Sequence, residues 1–245
     1  MGTDTPDWGG TYNDEQLFPL QDVGELAART GSFVTYDRRG SMIWGLNFEH
    51  GFAGLDKTTV GAGSSVKMSA DTWETGAFSV KLTCGAIAGN TAALSEPIPI
   101  PSSLVVGFQA SVKLYPEVGK LYVNLRHHDG ALNHYTYILV DLPNALLQIR
   151  TAEDGLLTLA SDLANLGIGY YFAHFKVVCD LSTHKILRVL LDGVEYQLDD
   201  KTMPTVISVL TPQLLPLITV ESDGTQAGIA YIDNYIITAA EPPNS

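Results

Sequence analysis

The densest run of chemistry-bearing side chains is His127-His128-Asp129, followed shortly by His134. Imidazoles and a carboxylate together are zinc ligands, but a zinc ion needs three or four of them within tetrahedral reach. Neighbouring residues of a strand leave opposite faces, so His127 and His128 diverge. The cluster therefore reads as the polar end of a hairpin. The residues just before it offer a different chemistry. If Leu121, Val123 and Leu125 turn to a core, then Tyr122, Asn124, Arg126 and His128 share the other face of one strand. The next strand adds either Tyr135 and Tyr137 or His134 and Thr136 to that face, depending on register. Gln148 and Arg150 extend the row. Aromatic rings stack on sugar faces while Asn, Arg and Gln bond hydroxyls, the mixture a polar recognition site needs. The same residues also serve as cross-strand pairs on a solvated sheet, or as a protein interface. All three readings stand at this point.

Catalytic signatures are missing from the sequence. There is no G-x-S-x-G elbow and no Ser/His/Asp set at a telling spacing. The glycine-bearing stretch 61–67 lacks phosphate-loop spacing and a following helix, and Asp199-Asp200 falls after a strand end, where it reads as solvated. The expectation is a protein that is not an enzyme.

The elements that would carry these residues are strands. In 170–198, Tyr171, Ala173, Phe175, Val177, Cys179 and Leu181 share one parity, and His174, Lys176 and Asp180 the other. Such period-two alternation turns one face to a core and the other to water. Asp192-Gly193 between two apolar runs is a hairpin signal, because a type I′ turn needs φ > 0 at both positions. Further strands are predicted at 42–48, 65–69, 78–84, 92–98, 104–114, 121–127, 134–141, 146–151, 156–160, 215–221 and 227–238. The stretches 161–167 and 201–213 have room for a helical turn. A dozen one-faced strands need two facing sheets around one core. The predicted class is an all-β, two-sheet antiparallel sandwich over 41–240, with an extended arm at 1–40 and a short tail at 241–245.

The arm is acidic and punctuated by Pro6, Gly9 and Gly10, yet it carries Trp8, Tyr12, Leu17 and Phe18. It has room for a helical turn at 22–29 and for a small hairpin in which 33–36 and 42–46 flank Asp37-Arg38-Arg39-Gly40. Those apolar side chains need burial, either along the parent domain or on a partner subunit. The chain has 27 acidic and 14 basic side chains, a net charge of −13. That charge repels phosphate backbones and anionic lipid, so nucleic-acid and membrane partners are not expected. The first ten residues lack the basic and apolar regions of a signal peptide, and no apolar run nears the roughly 18 residues of a membrane span. Cys84 and Cys179 fall on apolar parities, which suits two buried thiols, with a disulfide as the alternative.

Three short segments carry a family resemblance: Asn47-Phe48-Glu49-His50-Gly51, 78–83, and Tyr231-Ile232-Asp233-Asn234-Tyr235-Ile236-Ile237-Thr238. In this order they resemble concanavalin-A-like and laminin-G-like jelly rolls, a pattern also similar to carbohydrate-binding modules. The resemblance implies neighbouring first and last strands, with Glu49 and Asp233 close enough to ligate a structural calcium ion. The alternative has Glu49 capping a turn and Asp233 exposed. Pro6-Asp7-Trp8, 25–29 and Asp37-Arg38-Arg39-Gly40 resemble the front of poorly characterised jelly-roll proteins of tailed phages, accessory components of the virion. No E-x-D-x-x-E arrangement of this fold's glycosidases is present. The resemblance implies a structural or decoration protein on a virion surface, made in the host cytoplasm, attached by its arm to other subunits and homo-oligomeric. The alternative is an adhesion module, extracellular, that binds a glycan.

Overall fold

The computed structural model describes residues 11–12, 15–16, 36–115, 118–161, 163 and 171–242. Every regular element among them is a strand. In chain order the first six are β1 (Thr11–Tyr12), β2 (Glu15–Gln16), β3 (Ser41–Leu46), β4 (Asp56–Val60), β5 (Ser65–Ser69) and β6 (Ser79–Cys84). Then come β7 (Thr91–Ser95), β8 (Val105–Leu114), β9 (Val118–His128), β10 (Leu132–Asp141), β11 (Leu146–Thr151) and β12 (Gly155–Ala160). The last six are β13 (Ala173–Asp180), β14 (Lys185–Leu191), β15 (Val194–Thr202), β16 (Thr205–Ile207), β17 (Gln213–Ser222) and β18 (Gly228–Ala239).

Apart from the small β1–β2 ribbon, the strands form two antiparallel eight-stranded sheets. The first runs β15-β14-β13-β8-β18-β6-β5, with β3 also on β18; the second runs β12-β11-β10-β9-β17-β7-β4, with β16 also on β10. One parity of each inner strand glues the layers together. Val106, Phe108, Ala110, Val112 and Leu114 of β8 face Leu121, Val123 and Leu125 of β9 across a shared core. A fully buried Leu, Val or Phe side chain contributes about 1.5–3 kcal/mol, so the alternation suffices to choose this architecture. Cys84 and Cys179 are both buried free thiols in that core.

Asp192 and Gly193 both take positive φ, 47° and 83°, and connect β14 to β15 with Leu191 opposite Val194, the hairpin the sequence predicts. Three features depart from expectation. The 201–213 stretch contributes no helical turn but the edge strand β16, and β4 was not foreseen, because Asp56–Val60 is exposed throughout and shows no alternation. β18 also carries a bulge. Opposite β8, its pairing slips between Asp233 and Ile236, with Asn234 at φ 46°. The extra residue moves the core-facing set from Ala230 and Ile232 to Tyr235, Ile237 and Ala239. At the same point β18 changes partner from β6 to β3. The predicted helical turn at 22–29 and the burial of Trp8, Tyr12, Leu17 and Phe18 fall outside the described side chains.

Candidate functional site

The outward face of the second sheet is where β9 and β10 display their non-core parity. Antiparallel register sets Arg126 opposite Tyr135, and Asn124 opposite Tyr137. The open choice of register is thereby resolved for the tyrosines. His134 and Thr136 turn the other way, and Thr136 Oγ1 donates to the carbonyl of Arg150 at 2.8 Å. Tyr122 and Tyr137 meet edge to face with centroids 5.4 Å apart. The Tyr122 hydroxyl donates to Glu221 Oε2 at 3.1 Å, and burial plus that carboxylate lift its pKa well above the phenol range. Burial likewise raises Tyr137, against the opposing pull of Arg150 and Lys120. His128 lies apart from this row: it is buried and its Nδ1 pairs with Ser208 Oγ at 3.1 Å.

Arg126 is the unusual member. It is half-buried, its Nε has no hydrogen-bond partner, and no carboxylate among the described residues pairs with its guanidinium. Burial accordingly lowers its pKa. Asn124 beside it is buried with Oδ1 unpartnered. Arg150, on the same outward face, also makes no ion pair within the described residues. Together these groups form a row of donors, an acceptor and aromatic rings in which the Arg126 and Arg150 guanidinium groups have no carboxylate partner, and Asn124 Oδ1 no hydrogen-bond partner, among the described residues.

The outward face of the first sheet corrects an expectation. His174 and Lys176 have the parity assigned to water, yet Lys176 is only 2% exposed. Its Nζ reaches Asp37 Oδ2 at 2.9 Å and Glu241 Oε1 at 2.6 Å, and Arg188 Nη2 binds the other oxygen of Glu241 at 2.7 Å. Gly107 leaves room for this cluster, since a Cβ there would stand 2.8 Å from Lys176 Cε. Next to it, Glu74 Oε1 accepts short hydrogen bonds from Tyr36 and His174, and His174 Nδ1 lies 2.9 Å from Asp192. Burial works against a charge on His174, but Asp192 and Glu74 outweigh it and raise its pKa. A cavity of about 250 Å³ lined by Tyr36, Gln109, His174 and Lys176 adjoins the network. The sequence signals both histidine and lysine as strand residues. It gives no sign that Tyr36, Asp37 and Glu241, remote in sequence, cover them.

Glu49 and Asp233, the pair implied as calcium ligands, hold adjacent parts of one loop. Glu49 Oε1 accepts N–H bonds from Ala77 and Phe78 at 2.8 and 3.0 Å. Asp233 is fully buried rather than exposed, and accepts from Glu74, Thr75 and Asn234 at 2.8–3.1 Å. Burial nevertheless raises its pKa to about 7. The oxygens so engaged anchor the loop by accepting its N–H groups.

The histidine cluster stands at the β9–β10 hairpin end, as the sequence predicts, but His127, His128 and His134 are buried there. His127 and His134 are cross-strand partners on the inward parity, both buried, and they meet His184 from the β13–β14 turn. His184 is the member sequence reasoning missed, since it lies some fifty residues away on the opposite sheet.

No protein-family model and no curated protein sequence matches this chain. Solved structures do. The cellulose induced protein Cip1 superposes with a TM-score of 0.53 at 14% identity, covering 82% of this chain and 100% of that one. The shared fold is a jelly-roll sandwich. Alginate lyase vAL-1 from Chlorella virus gives 0.52 at 10% identity, over 81% and 100% of the two chains. The endo-β-1,4-glucuronan lyase of the fungus Trichoderma reesei gives 0.50 at 9%, over 84% and 96%. At such identities the likeness speaks for the jelly roll alone. None of the three is a phage structural protein, and the resemblance to tailed-phage virion components finds no support among them.

Proposed function

We propose that this protein is a glycan-binding module that takes an acidic polysaccharide on the outward face of its second sheet. The observation that carries the reading is Arg126, a half-buried cation with no carboxylate partner among the described residues, whose local attraction must outweigh the repulsion of a protein of net charge −13. A partly desolvated charge without a partner carries a cost that a ligand's counter-charge offsets. A guanidinium matches a sugar carboxylate bidentately. Tyr135 and Tyr137 offer rings for stacking, Asn124 an acceptor for a hydroxyl, and Arg150 a second cation. Two jelly-roll neighbours are named for acting on alginate and glucuronan, which agrees with an acidic ligand for this fold.

The test is titration of the full chain with a polyuronate and with a neutral β-glucan, followed calorimetrically. Saturable binding of the polyuronate, weakened about 10–100-fold by Arg126→Gln, is expected, the equivalent of losing a charged hydrogen-bonded contact of about 1.5–3 kcal/mol. Absence of binding to acidic and neutral polysaccharides alike would refute the module reading. No unsaturated sugar ends are expected to accumulate on long incubation. Their appearance, abolished by Tyr137→Phe, would replace binding with lyase chemistry at the same face.

A further inference from the structure

We infer that Asp129, His134 and His184, with His127 as fourth ligand, form a zinc-type transition-metal site that staples the two sheets together at one end of the sandwich. One ligand atom from each of Asp129, His134 and His184 lies within 4.8 Å of the others. Tetrahedral zinc with bonds of about 2.0–2.2 Å needs ligand atoms about 3.4 Å apart. The separation of His134 Nε2 from Asp129 Oδ2 is already 3.3 Å. The His184 ring stacks on that of His134 with centroids 3.5 Å apart, so binding requires it to swing out of the stack until its in-plane lone pair meets the ion.

The surroundings are built as for a metal. Asp129 Oδ1 is fixed by the backbone N–H groups of Ala131 and Leu132 at 2.8 and 2.7 Å, which leaves Oδ2 to face the histidines. His134 Nδ1 pairs with Thr205 Oγ1 at 3.1 Å, orienting the ring with Nε2 toward the site, as outer partners of ligating histidines do. His127 is only 7% exposed, its Nδ1 has no partner, and its ring lies 5.8 and 5.7 Å from those of His134 and His184. A buried imidazole with an unused nitrogen beside two stacked imidazoles is costly unless something accepts that lone pair. Asp129 is partly exposed, so an ion has a way in. Three nitrogens and one carboxylate oxygen favour zinc and its first-row neighbours over calcium or magnesium. The ligands come from β9, from β10 and its turn, and from the β13–β14 turn of the opposite sheet, so binding cross-links the layers.

The experiment uses the full chain stripped with chelator and desalted, then titrated with zinc chloride alone by calorimetry and thermal melting. One equivalent is expected to bind, raising Tm by about 5–10 °C when zinc stands at a hundred times Kd. Calcium chloride at the same concentration should leave Tm unchanged. His184→Ala, on a turn, is expected to leave the metal-free melt close to wild type and to cut zinc affinity by about 100-fold or more, and Asp129→Asn and His127→Asn by about 10-fold or more. His50→Ala, at an exposed position, should bind as wild type does. Absence of stoichiometric zinc binding, or undiminished binding by His184→Ala, overturns the site; undiminished binding by His127→Asn overturns the fourth ligand.

Discussion

Arg126, half-buried, and Lys176, fully buried, are two cations treated in opposite ways. Lys176 is answered within the protein by Asp37 and Glu241, and Glu241 in turn holds Arg188. Arg126 is answered by nothing among the described residues, and the difference separates a structural charge from one available to a ligand. The structural cluster is demanding, because removing one member of a buried ion set strands the others. Glu241→Ala is therefore expected to destabilise the fold by roughly 3–5 kcal/mol in urea denaturation with an unchanged slope. A loss near that of an exposed ion pair, below about 1 kcal/mol, would show the cluster to be open to water. Residue types at 122, 124, 126, 135 and 137 were enough to nominate the row proposed for recognition. Whether a given charge was already paired was not visible, because Asp37, Lys176, Arg188 and Glu241 are distant in sequence.

Strands were the most legible elements, since an alternation such as that of β8 encodes both the strand and its core face. β4 escaped notice because an edge strand with every residue exposed has no face to mark. The β18 bulge escaped for a related reason: Tyr-Ile-Asp-Asn-Tyr-Ile-Ile reads as continuous, and only the competing pairings with β6, β3 and β8 demand the extra residue. The β14–β15 turn was legible because its constraint is local. A methyl group at Gly193 would touch nothing, so Gly193→Ala isolates the backbone cost of φ 83°. About 1–2 kcal/mol of destabilisation is expected, a drop of about 2–8 °C in Tm. An unchanged melting temperature would mean that the turn tolerates a side chain at positive φ.

At the scale of the whole molecule, the buried ionisable groups give stability a pH dependence. His174 faces Glu74, Asp192 and Tyr36, and its folded pKa lies above the unfolded value near 6.5. Its contribution is complete below that value and is lost as pH rises through the folded pKa. Asp233, raised to about 7 by burial and faced by three backbone N–H groups and the Glu74 charge, acts in the same direction. Its contribution is complete below about pH 4 and lost between there and about pH 7. Glu74, held low by His174 despite its burial, has the opposite sign, with stability present above its ordinary range and lost as pH falls below it. Melting temperature should therefore decline from about pH 5 to pH 8, and Asp233→Asn should flatten the lower part of that slope. A slope retained in full by the variant would assign the titration to another group. The sequence by itself determined the class of fold, the core parity of the inner strands and the Asp-Gly hairpin, because alternation and turn chemistry act between residues close in the chain. Tertiary structure alone decided that His184 joins His127 and His134, that a polar parity is buried beneath Asp37 and Glu241, and that Arg126 is left without a counter-charge among the described residues. Those outcomes depend on which distant segments cross one another, and desolvation and charge pairing are set by that crossing.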